Sequence, residues 1–312
     1  MTCLLPERVL LTGANGFIGS CVNQYLEFKC AVAVRDPVKC GLNDRVLLLS
    51  ELINPQGELS QFHGIDSIIH LAGLAHSKEF SAQEHDAVNT KLTLDLAKAA
   101  AKRGVKRFVF ISSINVNAIY AQDEVITIGS TPCSWSDSSR SKFNAEIGLA
   151  EIAKETGLEL VIVRPTLVYG ANAPGNFGSL SALISKLPFL PFGATTNERD
   201  FISVNNLASL LVTCAVHDDA PGHTFLASEG QAVSMNVFTS AIATGLNRSL
   251  YQLPIPVSLM RSAGKLFGKS DVVEQLVGNF RVDSSNLKQI LGWIPPYTME
   301  DSMSLLHKNK EK

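Results

Sequence analysis

Short, unbroken apolar runs alternate along this chain with longer stretches whose apolar positions recur every three to four residues, and the alternation persists for about 170 residues. It is the pattern of buried strands separated by amphipathic helices. The runs predict strands at Arg8 to Thr12, Ala31 to Val34, Arg45 to Leu49, Ser67 to His70, Arg107 to Ser112 and Glu159 to Val163. Several are continuous Val, Ile, Leu and Phe, as strands covered on both faces should be. The intervening spacing predicts a helix from Gly16 to Phe28, a long one from Gln83 to Arg103, and a third from Ser138 to Thr156 closed by Gly157. The fold expected is α/β, a doubly wound parallel sheet over residues 1–170. From Ala171 onward Pro174, Pro188, Pro191, Pro221, Pro254 and Pro256 punctuate shorter helices, which predicts a smaller mixed α/β lobe over residues 171–312. Residues near 200–217 are expected to pack back on the first domain, and the tail from His307 to Lys312 to fray.

Composition narrows the partners. The chain has 312 residues, 46% hydrophobic content and a formal net charge of -2, with its Lys and Arg scattered. That balance offers no polybasic stripe, so nucleic acid and anionic membrane are not expected partners and small molecules are. Cysteines 3, 21, 30, 40, 133 and 214 form no Cys-x-x-Cys pair, which argues for reduced thiols, no metal site and a cytoplasmic location. The first residues, Met1 to Arg8, leave no room for a leader segment, and no run is apolar enough to span a bilayer.

The first predicted strand ends at Thr12 and runs into Gly13, Gly16 and Gly19, spaced Gly-x-x-Gly-x-x-Gly, with a helix following. Gly13 would permit a tight turn, Gly16 a close approach of a pyrophosphate, and Gly19 close packing of helix on strand. The helix start would offer amide donors and a positive dipole end to phosphate. This is the arrangement of a dinucleotide site. After the second strand stands Arg35, with Asp36 next. A guanidinium there favours a 2′-phosphate and hence NADP over NAD; a shift of one residue would put Asp36 there and reverse the preference.

With these residues the chain resembles the extended short-chain dehydrogenase/reductase superfamily, with a Rossmann domain, and within it the nucleotide-sugar epimerases and dehydratases of the UDP-glucose 4-epimerase type. Seven segments carry the likeness: Thr12 to Gly19, Asp66 to Gly73, Val88-Asn89-Thr90, Phe108 to Ser113, Arg164 to Gly170, Arg199 to Ala208 and Leu291 to Pro296. The resemblance implies an NAD(P) groove lined by Asn15, Phe17, Ile18, Leu71, Ala72, Gly73, Asn89 and Pro165, with Glu51 and Leu52 beside the adenine. It implies that Ser113 donates to the reacting sugar oxygen and that Lys142 holds the nicotinamide ribose and lowers the pKa of a neighbouring acid. Asn176 would orient a UDP-sugar, and Arg199 and Arg281 would grip its diphosphate, a task suited to forked guanidinium donors. Relatives pair as homodimers through the helices beginning at Gln83 and Ser138.

One position departs from the family. The helix should carry Tyr-x-x-x-Lys, but Ser138 stands four residues before Lys142 and no tyrosine lies between Tyr120 and Tyr169. A serine hydroxyl is too weak an acid and too short to replace a tyrosine directly. The resemblance implies 4-epimerisation of a UDP-hexose or UDP-N-acetylhexosamine; the missing tyrosine leaves open another base, such as a water held by Ser138 and Lys142 or a residue of the second lobe, or a tyrosine that has been replaced. A protein that only binds sugar nucleotides, or a carbonyl reductase or dehydratase of the same superfamily, are the alternatives; Ile114-Asn115 after Ser113 lack the carboxylate a dehydratase would add.

Overall fold

A computed structural model describes residues 8–35, 45–54, 59–74, 80–117, 124–133 and 136–308. Cys3, Asp36, Cys40 and residues 1–7 lie outside these. The apolar runs become strands β1 (Val9–Thr12), β2 (Ala31–Val34), β3 (Val46–Leu48), β4 (Ser67–His70), β5 (Arg107–Ile111) and β6 (Glu159–Pro165). Helices α1 (Phe17–Tyr25), α2 (Leu49–Leu52), α3 (Ala82–His85), α4 (Leu92–Lys102) and α5 (Asp137–Thr156) connect them. Beyond these come β7 (Leu167–Tyr169), α6 (Gly175–Lys186), β8 (Phe189–Leu190), β9 (Phe201–Ser203), α7 (Val204–Val216), β10 (Thr224–Ala227) and α8 (Met235–Gly245). The chain finishes with β11 (Tyr251–Gln252), α9 (Val257–Leu266), α10 (Ser270–Val277), α11 (Ser285–Leu291) and α12 (Met299–Lys308), so His307 and Lys308 are helical where fraying is expected.

Seven strands form one parallel sheet in the order β10-β6-β5-β4-β1-β2-β3. The doubly wound Rossmann fold is therefore present. Its order reverses between β1 and β4, where the carboxyl ends of the strands diverge and ligands bind. Period-two alternation divides each strand between two cores: Val9 and Leu11 pack with α1 and α7, while Leu10 packs with α4 and α5. The C-terminal lobe has its own core, in which the Phe201 and Phe238 rings stack at 3.8 Å and Tyr169 meets Phe238 edge-on at 5.6 Å.

The sheet's outer strand β10 comes from beyond residue 171 and is not foreseen in the apolar pattern. Other differences are local and have physical causes. Helix α1 stops at Tyr25 because Glu27 and Phe28 take left-handed φ of 53° and 59°, and the Phe28 amide turns back to the Asn23 carbonyl. Strand β3 is confined to Val46–Leu48, since Leu49 already opens α2. The expected continuous helix from Gln83 to Arg103 is interrupted by a π-helical turn at Asp86–Lys91, which carries Asn89. The third helix matches expectation: Ser136 and Ser139 form a reciprocal capping box, and Gly157 closes it at φ 77°.

The tightest constraint is at the glycine turn, where a Cβ on residue 19 would lie 2.0 Å from the Gly13 carbonyl oxygen. Gly19→Ala should therefore cost about 2 kcal/mol of stability through overpacking, read as a lowered urea midpoint with an unchanged slope.

Candidate active site

Three glycines strip the β1–α1 turn of side chains. Gly13 sits at φ +73°, and a Cβ there would approach the Ala72 amide nitrogen to 2.8 Å, which locks the turn against Leu71 and Ala72 at the end of β4. Gly16 is the N-cap of α1 and provides no side-chain cap to the first turn, in which Phe17 and Ile18 are half-buried. A cleft of about 700 Å³ opens beside this terminus, lined among others by Asn15, Gly16, Phe17, Gly170 and Asn205. The uncapped donors and absent Cβ atoms fit a dinucleotide pyrophosphate.

At the floor of the site, Thr12, His70, Thr93 and Asn89 form a buried chain of hydrogen bonds. The Thr93 hydroxyl donates to the Asn89 carbonyl at 2.8 Å, so it must accept from His70 Nε2 at 2.9 Å. His70 Nδ1 then accepts from the Thr12 hydroxyl at 2.8 Å, whose oxygen accepts the Leu71 and Ala72 amides at 3.1 Å and 3.0 Å. The network requires a neutral imidazole, and burial together with the Lys142 charge holds its pKa down at about 3. It fixes the β1 and β4 ends, including Leu71 and Ala72, in one arrangement.

Above that floor the structure brings together Gly73, Asn89, Ser138 and Lys142. The Lys142 ammonium donates to the Ile111 carbonyl at 3.0 Å and lies 4.7 Å from the centre of the Phe110 ring. Desolvation lowers its pKa from 10.5 to about 8, while Glu146, one turn on, opposes the shift. Glu146 is itself buried and gripped by both Nε and Nη2 of Arg164, whose Nη1 donates to Asn117 at 2.8 Å. Asn89 accepts the Leu74 amide at 2.7 Å and donates to Ser141 at 3.0 Å, so the π turn is pinned to α5. Ser138 is buried on the same inward face, one turn before Lys142. A Cβ on Gly73 would stand 2.9 Å from the Asn89 amide oxygen and 3.1 Å from the Lys142 nitrogen, so only glycine leaves both reachable.

The remaining expected residues divide. Ser113 caps a short turn by accepting the Asn115 amide at 3.2 Å, and Ile114 beside it shares a small core with Phe280 and Val282, which flank Arg281. Arg199 donates to the Gly278 carbonyl at 2.9 Å and lies over the Phe280 ring; burial lowers its pKa to about 10, leaving it charged at neutral pH. Arg281 is ion-paired with Glu198 at 2.9 Å. Pro165 is buried at the end of β6 beside β10. Arg35 is exposed at the end of β2, and Glu51 is exposed in α2, but Leu52 is fully buried in the core and can only support the edge from below. Asn176 is exposed in the first turn of α6 and takes no part in the cluster around Lys142. His70, Thr93, Ser141, Glu146 and Arg164 have roles that the sequence pattern did not assign. The one available signal was a polar His70 ending an apolar strand.

The chain matches the model of the NAD-dependent epimerase/dehydratase family over residues 9–227. It is 38% identical to a UDP-glucose 4-epimerase of Vibrio cholerae across 95% of this chain and 93% of that protein. It is also 22% identical to N-acetyl-α-D-glucosaminyl-diphospho-ditrans,octacis-undecaprenol 4-epimerase of Escherichia coli O157:H7, over 96% of this chain and 94% of that one. Among solved structures, a UDP-N-acetylglucosamine 4-epimerase from Bacillus cereus superposes with a TM-score of 0.76 at 17% identity, covering 97% and 99% of the two chains.

Burying the Lys142 charge costs stability wherever the group is protonated in the folded state. Its folded pKa of about 8 lies below the unfolded 10.5, so the cost is full below pH 8 and is relieved as pH rises through that window. Lys142→Met should therefore unfold at higher urea than the parent at neutral pH, and the gap should shrink as pH approaches 10.

Proposed function

Because this chain belongs to the NAD-dependent epimerase/dehydratase family, we propose that it inverts C4 of a hexose carried on a diphosphate, a UDP-hexose or UDP-N-acetylhexosamine, by transient hydride transfer. The observation that carries the reading is the buried Lys142 beside Asn89, Gly73 and Ser138 at the carboxyl ends of β4 and β5. A bound nicotinamide would take hydride from the sugar and return it to the other face. The chain's own residues hold and position: the α1 amides bind the pyrophosphate, and Asn89 and Lys142 hold the ribose. Ser113 donates to the sugar oxygen, and Arg199, with Arg281 released from Glu198, grips the diphosphate. Asn176 orients the sugar ring.

Ser138 sets the chemistry apart. A water held between its hydroxyl and Lys142 takes the place of a tyrosine, and Lys142, with a pKa near 8, can give and receive a proton close to neutrality. The absence of that tyrosine also supports a second reading, a protein that binds sugar nucleotides without turning them over. Arg35 favours the phosphorylated cofactor, and the α4 and α5 surfaces serve as a homodimer contact.

Incubation with cofactor and UDP-glucose or UDP-N-acetylglucosamine should yield the C4 epimer by NMR, and Ser138→Tyr should raise the rate by about 100-fold or more. Tight binding with no epimer from either protein would establish the second reading instead. Arg35→Asp should weaken NADPH binding relative to NADH in a fluorescence titration; an unchanged ratio would remove Arg35 from cofactor selection.

A further inference from the structure

From Tyr251 to Val272 the chain buries one residue, Gly264. Yet this stretch is rich in apolar side chains. On α9, Leu259, Ala263 and Leu266 lie one turn apart on one stripe, and Leu259 and Leu266 are 59% and 81% exposed. The neighbouring stripe, Met260, Gly264 and Phe267, lines with Ala263 and Lys269 an apolar cleft of about 330 Å³ against α10. At the turn between the helices Leu266 is followed by Phe267, which borders the cleft yet is 73% exposed, and exposed Lys265 and Lys269 stand on either side of the pair in sequence. Val272 continues the apolar surface onto α10 at 51% exposure. A helix whose apolar stripe the lobe leaves uncovered needs another apolar medium.

We propose that the α9–α10 hairpin docks on an anionic phospholipid bilayer, inserting Leu266 and Phe267 at the headgroup boundary while Lys265 and Lys269 meet lipid phosphates. Protruding aliphatic and aromatic side chains bracketed by lysines match that boundary in polarity and charge. On this hairpin Arg261 pairs with Glu274, and Lys265 and Lys269 together exceed Asp271 by one positive charge, an excess that the chain's near-neutral total hides. The hairpin also joins the diphosphate-gripping residues directly: the Leu276 and Gly278 carbonyls at the end of α10 accept from Asn197, and Gly278 accepts from Arg199. A docked hairpin therefore holds Arg199 near the plane where membrane-borne diphosphates lie. The docking itself stands independently of the epimerase reading.

Co-sedimentation of the full chain with vesicles of phosphatidylglycerol and phosphatidylethanolamine, and with phosphatidylcholine alone, tests it. The parent should partition onto the anionic vesicles and lose affinity as salt rises. Leu266→Glu combined with Phe267→Glu should weaken partition at least tenfold, with an unchanged circular dichroism spectrum. Lys265→Glu and Lys269→Glu should each weaken it about fivefold. Turnover of a water-soluble UDP-hexose should be unchanged in all of them, so loss of docking and loss of activity remain separate results. No partition of the parent, equal partition of the glutamate variants, or a dimer that those variants convert to monomer in sedimentation velocity would each overturn the proposal.

Discussion

One buried cation organises the Rossmann half of this molecule. Lys142 is removed from water at the end of β5, and its charge is met by a carbonyl, an aromatic face and Glu146 one turn away. A charge in so dry a place obliges its neighbours to take definite states. His70 stays neutral, first because it is fully buried and second because Lys142 is already charged above it, and the hydroxyls of Thr12 and Thr93 supply the bonds a neutral ring requires. Glu146 stays in place because Arg164 grips both of its oxygens. Arg164 and Lys142 together carry one positive charge more than Glu146, so the local balance invites an anionic or electron-rich ligand.

The backbone is adapted to keep that cation within reach. A regular α-helix through residues 86–91 would turn Asn89 out of line; the π turn widens the helix so that its side chain meets both the Leu74 backbone and Ser141. Gly73 leaves the space between Asn89 and Lys142 unfilled. The same economy holds at Gly13 and Gly19, where helix and turn touch without side chains. Access to the site is thus a matter of missing atoms as much as of present ones.

Much of this was legible in the residues. The parallel sheet follows from apolar runs that need cover on both faces, and the phosphate turn from glycines placed between a strand and a helix. Ser138 and Lys142 share a face because four residues span about one helical turn. The π turn was not legible, because the pattern from Gln83 to Arg103 suits a helix of either pitch at its ends. Nor was β10, whose four residues follow Pro221 among small and polar residues and become a strand only by pairing with β6. Leu52 shows another limit: its place in the pattern put it near a ligand, whereas burial in the core decides what its side chain touches.

The placement of α7 and β10 has a consequence for how the chain comes to be folded. Ser67 on β4 donates to the Ala215 carbonyl, and Arg107 on β5 donates to those of Cys214 and His217, so the near ends of the central strands are finished by α7. During synthesis at roughly 5–20 residues per second, β1 to β6 are complete several seconds before α7 and β10 leave the ribosome. Over that interval one whole face of the sheet, Val9, Leu11, Val32, Ile69, Val109 and Val161, has only α1 to cover it. The nascent chain therefore passes through a window in which a nearly finished nucleotide-binding sheet is also its most aggregation-prone form, and a chaperone that shields that face would act before the second lobe exists.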